Sequence, residues 1–197
     1  MFLRSSEIED WLKEKGNICL GVDPPTNHLK PSSVKTWIYE LANSVSDLVS
    51  SIKININYFE HIPDHLNLLS EFILRFSSTH FIILDVKKAD INRSYTCGAS
   101  FYLYGLGADA ITAIPFFDVS MEVDRFPGKY VIPVVLPSAP LKAPQETLYE
   151  LIARTIKEKN KDTGFYVVGA KNKSQYQKFR EIFKDDVFLI PGVFSQG

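Results

Sequence analysis

Short apolar runs alternate with longer amphipathic stretches along most of the chain. The runs are rich in β-branched and other apolar residues, a composition typical of β-strands. Seven strands are predicted, over residues 17–22, 51–55, 80–85, 109–114, 130–136, 164–168 and 187–190. The run HFIILD at residues 80–85 is almost continuously apolar, which indicates a strand covered on both faces of a parallel sheet.

The stretches between the strands have the apolar spacing of helices. Six intervening helices are predicted, over residues 32–50, 63–76, 92–106, 119–125, 144–159 and 174–183. Ser32 and Ser33 are the predicted N-caps of the first of them. Trp11 belongs to a further helix near the N-terminus, which we expect to pack across one end of the sheet.

Strands that alternate with helices predict a parallel sheet with right-handed crossovers. Such a sheet can stay open and doubly wound, or it can close into a (β/α)8 barrel, and the hydrophobic pattern does not separate the two. No composition shift or long linker divides residues 1–197, so a single domain is predicted.

Composition and charge exclude several classes of protein. With 22 Lys and Arg against 23 Asp and Glu, the net charge is −1, which gives no indication of a nucleic-acid partner or an anionic membrane. No apolar run approaches the roughly 18 residues of a membrane-spanning helix. The two cysteines form no C-x-x-C motif, so reduced thiols in a cytoplasmic protein and no zinc site are expected.

Charged side chains follow the predicted strands at their C-terminal ends, where functional residues of parallel α/β folds gather. Asp23 follows the first strand, and Lys53 lies within the second. Asp85 and Lys87 are two residues apart, so strand geometry directs both to one face, and Asp90 follows in the loop. A solvent-facing ion pair is the structural alternative. Five charges near buried strands favour a functional site, because unpaired buried charges are costly.

These motifs resemble those of the orotidine 5′-monophosphate decarboxylase family. That family carries D-x-K-x-x-D-I-x-x-T after its third strand, and this chain has DVKKADINRS from Asp85 to Ser94. Ser94 replaces the usual threonine but keeps a hydroxyl. The other strand-end motifs are matched in family order by LGVDPP, KININYFE, GADAITAIPFFD, LPSAP, VVGAKNKSQ and LIPGVFSQG.

The resemblance implies decarboxylation of orotidine 5′-monophosphate to uridine 5′-monophosphate, with no cofactor and no metal. Lys87 would stabilise the charge that develops at C6 and donate the proton. Asp85 would lie beside the substrate carboxylate, and Lys53 would bond Asp85 and the ribose. Asp90 would complete the alternating charges from the partner subunit of a homodimer with shared active sites.

Six further residues are implied to bind the nucleotide: Asp23, Ser94, Ser138, Pro191, Gly192 and Gln196. Asp23 would bond the ribose hydroxyls, and Ser138 would contact the amide edge of the pyrimidine. Ser94 would act from the partner subunit, while Gln196 would link the phosphate to a closing loop. Binding energy from the phosphate would then be expressed in the rate.

The resemblance selects the (β/α)8 barrel, and it leaves two other activities open. Seven predicted strands in 197 residues fall short of the eight strands and about 250 residues of a typical barrel, so the eighth strand is expected to be absent from this chain. One alternative activity is a Mg²⁺-dependent enzyme similar to 3-keto-gulonate-phosphate decarboxylase or hexulose-phosphate synthase. The other is a non-catalytic barrel that binds a phosphate ligand. Lys53, Ser138 and the PGVFSQG segment favour orotidylate.

Overall fold

Seven parallel strands form one sheet in the computed structural model, which describes residues 5–25, 30–116, 125–138, 145–159 and 164–192. The strands are β1 (Cys19–Val22), β2 (Ser51–Asn55), β3 (Phe81–Lys88), β4 (Ala110–Ala113), β5 (Tyr130–Leu136), β6 (Phe165–Val168) and β7 (Val187–Leu189). They pair in chain order. A doubly wound sheet has its first strand in the interior. Here β1 lies at an edge of the sheet, so the doubly wound arrangement is excluded.

Six helices lie in the described residues; the first precedes β1, and each of the other five connects two consecutive strands, as the sequence predicts. They are α1 (Ser5–Lys15), α2 (Pro31–Val45), α3 (His65–Phe76), α4 (Asn92–Ser100), α5 (Gln145–Lys159) and α6 (Lys173–Ile182). Short 3-10 turns follow α2 at Ser46–Leu48 and β2 at Ile56–Tyr58, and a π-helical turn, Phe101–Gly105, extends α4. The helix predicted over 119–125 falls almost wholly outside the described residues.

Two local predictions are wrong. Ser32 and Ser33 do not cap α2, because the helix begins at Pro31 with Lys30 in the N-cap position and no side-chain cap. Proline fits this first position, since its fixed φ suits a helix and its missing N–H is not needed there. Strand β3 also runs to Lys88, beyond the predicted end at residue 85, because Lys88 still pairs with Ala113 of β4.

Alternate residues of the strands pack on opposite faces of the sheet. The outward set packs beneath the helices and includes Ile52, Ile54, Ile82, Leu84 and Ile111. The inward set packs with Ile8 of α1 and includes Ile83, Ala110, Ile132, Phe165 and Leu189. Trp11 Nε1 donates a hydrogen bond to the Ser50 carbonyl at 3.2 Å. These contacts confirm that the N-terminal helix closes one end of the sheet.

The sheet curls as a barrel does. Gly21 on β1 and Leu189 on β7 line the same cavity, although these strands are at opposite edges of the sheet. Within the described residues no eighth strand lies between β1 and β7. In the described part of the chain the architecture is therefore that of seven strands of a (β/α)8 barrel, as the resemblance predicts.

Arg180 holds the end of α6 against β7. Its Nη1 atom donates hydrogen bonds to the carbonyl oxygens of Phe183 at 3.2 Å and Asp186 at 2.8 Å. The guanidinium carbon lies 3.6 Å from the centre of the Phe188 ring. One side chain therefore ties the turn after α6 to the strand that leads to the seventh strand-end loop.

Replacing Arg180 with Met should lower the free energy of unfolding by about 2 kcal/mol, because its hydrogen bonds to carbonyl oxygens and one cation–π contact are lost. Urea unfolding followed by circular dichroism measures the change. Arg154→Met, an exposed position on α5, is the matched control and should have little effect. Equal unfolding midpoints for the two variants would contradict the assigned role of Arg180.

Candidate active site

A cavity of about 500 Å³ opens at the C-terminal ends of the strands. Its size falls within the range of about 300–1,000 Å³ that is usual for small-molecule sites. Seven of the predicted site residues line it: Asp23, Lys53, Asp85, Lys87, Ser138, Pro191 and Gly192. The parallel order of the strands thus brings together residues that are far apart in the chain.

Asp85 is the centre of the charged part of the cavity. This residue is only 8% exposed, yet both of its carboxylate oxygens have partners. Oδ2 accepts a hydrogen bond from Lys87 Nζ at 2.8 Å and lies 3.6 Å from Lys53 Nζ. Oδ1 accepts a hydrogen bond from Thr112 Oγ1 at 2.7 Å. The buried charge is therefore both paired and hydrogen bonded, the arrangement that a buried carboxylate requires.

These partners determine the protonation state of Asp85. Burial by itself raises the pKa of the carboxyl group. The hydrogen bonds from Lys87 and Thr112, together with the positive charges of Lys53 and Lys87, outweigh burial and hold the pKa below its ordinary value. Asp85 is accordingly a carboxylate at neutral pH.

Lys87 reaches Asp85 through an irregular backbone. Its φ of 45° lies in the left-handed region, which side-chain-bearing residues rarely adopt. The pairing of β3 with β4 shifts register between Leu84 and Lys88, so Lys87 lies within a bulge. The two side chains meet in the structure, although β3 is not the regular strand from which the sequence directed them to one face. Strained backbone of this kind is concentrated at functional sites.

Thr112 is a site residue that sequence reasoning missed. It lies on β4, is 1% exposed, and lines the cavity beneath Asp85 and Lys87. A signal was present in the run DAITAI, where one polar residue interrupts an apolar strand two positions after Ala110. Alternation along a strand places both residues on the inner face of the sheet.

Gly169 allows Ser138 to lie at the rim of the cavity. Gly169 follows β6, and its N–H donates a hydrogen bond to the Leu136 carbonyl at 2.8 Å. A Cβ at this position would lie 2.7 Å from the Pro137 carbonyl oxygen and 2.9 Å from Ser138 Cα. Only glycine allows the ends of β5 and β6 to approach this closely, because the atoms in the way belong to the backbone.

Two further predicted residues, Asp90 and Ser94, do not line this cavity. Asp90 precedes α4, where the Ser94 hydroxyl and the Ile91 N–H hold the pKa of its carboxyl group below the ordinary value. Ser94 Oγ donates a hydrogen bond to the Ile91 carbonyl at 3.1 Å. Gln196 lies outside the described residues. Within one chain the alternating charges are therefore Lys53, Asp85 and Lys87.

Two kinds of feature are absent from residues 5–25, 30–116, 125–138, 145–159 and 164–192. In those ranges no group of three or more His, Cys, Asp or Glu residues is arranged to hold a metal ion. No helix in the same part of the chain is long and apolar enough to cross a membrane.

The chain is similar to curated and solved orotidine 5′-phosphate decarboxylases, although no family model matches it. It is 30% identical to that of Cupriavidus metallidurans over 206 residues, which cover 95% of this chain and 76% of the relative. It is 26% identical to that of Christiangramia forsetii over 216 residues, which cover 99% of this chain and 79% of the relative.

Solved structures share the fold. The OMP decarboxylase of Leishmania donovani superposes with a TM-score of 0.79 at 25% identity, covering 94% of this chain and 79% of that one. The UMP synthase of the same organism gives 0.85 at 24% identity, covering 99% of this chain and 46% of that one. Both support the barrel architecture described above.

The stability of the fold should depend on pH through Asp85. Because its folded-state pKa lies below the unfolded value of about 3.9, its contribution is complete above that value and is lost as the pH falls through the folded pKa. The unfolding free energy of the wild type should therefore fall relative to that of Asp85→Asn between about pH 5 and pH 3. Urea titrations at a series of pH values measure both. A constant difference across that range would show that folding does not shift this pKa.

Proposed function

This chain belongs to the orotidine 5′-phosphate decarboxylase family, and we propose that the cavity at the C-terminal ends of its strands is the active site. The chain is an enzyme that decarboxylates orotidine 5′-phosphate in pyrimidine synthesis. The observation that carries the proposal is the ion pair of 2.8 Å between Lys87 and Asp85 in the cavity wall.

The reaction breaks the bond between C6 and the carboxylate carbon. Carbon dioxide leaves, and the bonding electron pair remains on C6, where the pyrimidine ring delocalises it poorly. We assign Lys87 the role of stabilising this pair with its ammonium charge and then donating a proton to C6. The lysine becomes a neutral amine and regains its proton from solvent. Asp85 would lie beside the departing carboxylate.

The exposure of the two lysines supports separate roles for them. The Lys87 side chain is 43% exposed, whereas that of Lys53 is 13% exposed. A proton donor must reach the substrate, and Lys87 extends into the open cavity. Lys53 lies on β2 in the wall of the cavity, where its charge stabilises the Asp85 carboxylate and its Nζ can donate a hydrogen bond to the ribose.

The rim of the cavity supplies the proposed nucleotide contacts. Asp23 carries an acceptor for ribose hydroxyls, and Ser138 carries a hydroxyl for the amide edge of the pyrimidine. Pro191 and Gly192 line the same cavity at the end of β7. Their position beyond β7 supports a role in binding the nucleotide, and we place Gln196, from the same motif, at the phosphate. Contacts remote from C6 can lower the activation free energy of decarboxylation when they close the site.

Lys87→Ala should abolish decarboxylation, because both the cation and the proton donor are lost. We expect kcat to fall by at least about a thousandfold. The affinity for uridine 5′-monophosphate should change by less than about threefold, because the rim contacts remain. Loss of orotidylate absorbance measures turnover, and calorimetric titration measures binding.

The control is Lys35→Ala, which removes a lysine that is paired with Glu71 on the surface, away from the cavity. It should retain the wild-type rate. The assay contains EDTA, so a Mg²⁺-dependent reaction on a sugar phosphate would not be mistaken for this one. Near-normal turnover by Lys87→Ala would overturn the assignment.

We further propose a homodimer in which Asp90 and Ser94 enter the cavity of the partner subunit. Asp90 precedes α4 and Ser94 lies in its first turn, and neither lines the cavity of its own chain. Ile91 between them is an apolar side chain that is 67% exposed. An exposed apolar residue flanked by polar side chains suits an interface.

Cys19 and Cys97 are free thiols, which supports a cytoplasmic location.

Mixing Asp90→Ala chains with Lys87→Ala chains should restore part of the activity lost in each variant. In a mixed dimer, one of the two sites combines the intact Lys87 of one chain with the intact Asp90 of the other. With equal amounts and free exchange, about one quarter of the wild-type activity should return. Absence of rescue, with subunit exchange demonstrated by mass spectrometry, would contradict a shared site.

A further inference from the structure

The Thr112 hydroxyl connects Asp85 to the backbone of Lys87. The Lys87 N–H donates a hydrogen bond to Thr112 Oγ1 at 2.9 Å, and Thr112 Oγ1 donates one to Asp85 Oδ1 at 2.7 Å. An amide N–H can only donate, and a carboxylate can only accept, so the direction of both hydrogen bonds is determined. The hydroxyl uses its single hydrogen and one of its lone pairs for these two groups.

The bulge in β3 explains why this hydroxyl is needed. Leu84 pairs with Ile111 and Lys88 pairs with Ala113, so four steps along β3 correspond to two steps along β4. Residues 85–87 therefore lie opposite Thr112 alone. The regular ladder resumes where the Ile114 N–H donates to the Lys88 carbonyl at 2.9 Å. Inside the bulge the Lys87 N–H has Thr112 Oγ1 as its partner.

The left-handed backbone at Lys87 also needs support. A residue with a side chain in this region costs about 1–3 kcal/mol and persists only where its surroundings enforce it. The bond from its own N–H to a 1% exposed side chain is such a restraint. It sets the direction in which the Lys87 side chain leaves β3.

We infer that Thr112 is a positioning residue for catalysis, whose hydroxyl holds the Asp85 carboxylate and the Lys87 backbone in one arrangement and so sets the place of the Lys87 ammonium group. The inference rests on the proposed function, since it assumes that Lys87 and Asp85 act on the substrate. Loss of the hydroxyl leaves the Lys87 N–H and an oxygen of the buried Asp85 carboxylate without this partner. It also removes one of the hydrogen bonds that lower the pKa of Asp85 against the effect of burial.

The test replaces Thr112 with Val, which keeps the shape of the side chain but removes the hydroxyl, and with Ser, which keeps the hydroxyl. For Thr112→Val we expect kcat to fall about ten- to a hundredfold, as the loss of hydrogen bonds involving a charged group suggests. KM should change little, and the acid limb of the kcat–pH profile should move to higher pH. Thr112→Ser should keep at least about half of the wild-type kcat, because both hydrogen bonds remain possible.

Thr155→Val is the matched control, because Thr155 is an exposed residue on α5 whose hydroxyl bonds the Leu151 carbonyl. It should keep the wild-type kcat and pH profile. Circular dichroism checks the fold of each variant. If Thr112→Val is unfolded, the pair Thr112→Ser and Thr112→Ala, which differ by one oxygen atom, gives the same comparison.

Thr112→Val with wild-type kcat and pH profile would overturn the inference, and so would Thr112→Ser as impaired as Thr112→Val. Lys87→Ala distinguishes this failure from failure of the proposed function. If Lys87→Ala is inactive while Thr112→Val is normal, only the role of Thr112 is wrong. If Lys87→Ala is active, the proposed function is wrong and the inference fails with it.

Discussion

A buried carboxylate that must stay ionised is the constraint on which this site depends. Asp85 is almost fully removed from solvent, and a charge in that position is costly unless every oxygen finds a partner. Two lysines and one hydroxyl meet this requirement, from β2, β3 and β4. The same groups that stabilise the charge also arrange a cation at the mouth of the cavity, so the stability of the site and its proposed chemistry have one origin.

The order of the strands makes this arrangement possible. Because β2, β3 and β4 are neighbours in the sheet, the inward side chains of Lys53, Asp85 and Thr112 meet at the C-terminal ends of these strands. Contacts elsewhere in the fold hold the other strand ends in position. Gly169 allows the ends of β5 and β6 to approach each other, and Arg180 ties α6 to β7. A barrel therefore acts as a frame whose strand ends carry the chemistry.

The bulge in β3 shows how local strain and function are connected at this site. A regular strand would give Lys87 an extended backbone and a place in the ladder with β4. Instead, Lys87 adopts a left-handed conformation, and a side chain takes the role of the missing ladder partner. This irregularity directs the ammonium group towards Asp85 while the strands on either side keep their pairing.

The resemblance to a known family implied Ser138, Pro191 and Gly192 as further residues of the cavity. The sequence by itself determined the alternation of seven strands and their helices, the bounds of β2 and β5, and four cavity residues, Asp23, Lys53, Asp85 and Lys87. These features follow from local patterns: apolar periodicity, and charges placed where strands end. The prediction that Ser32 and Ser33 cap α2 is wrong because Pro31, just ahead of them, begins the helix.

Only the tertiary structure decided where β3 bulges and that Thr112 joins the site, and it distinguished between the two sheet arrangements that the hydrophobic pattern left open. Each of these depends on pairing between segments far apart in the chain. The hydrophobic pattern of one strand carries no record of the register that its neighbour adopts.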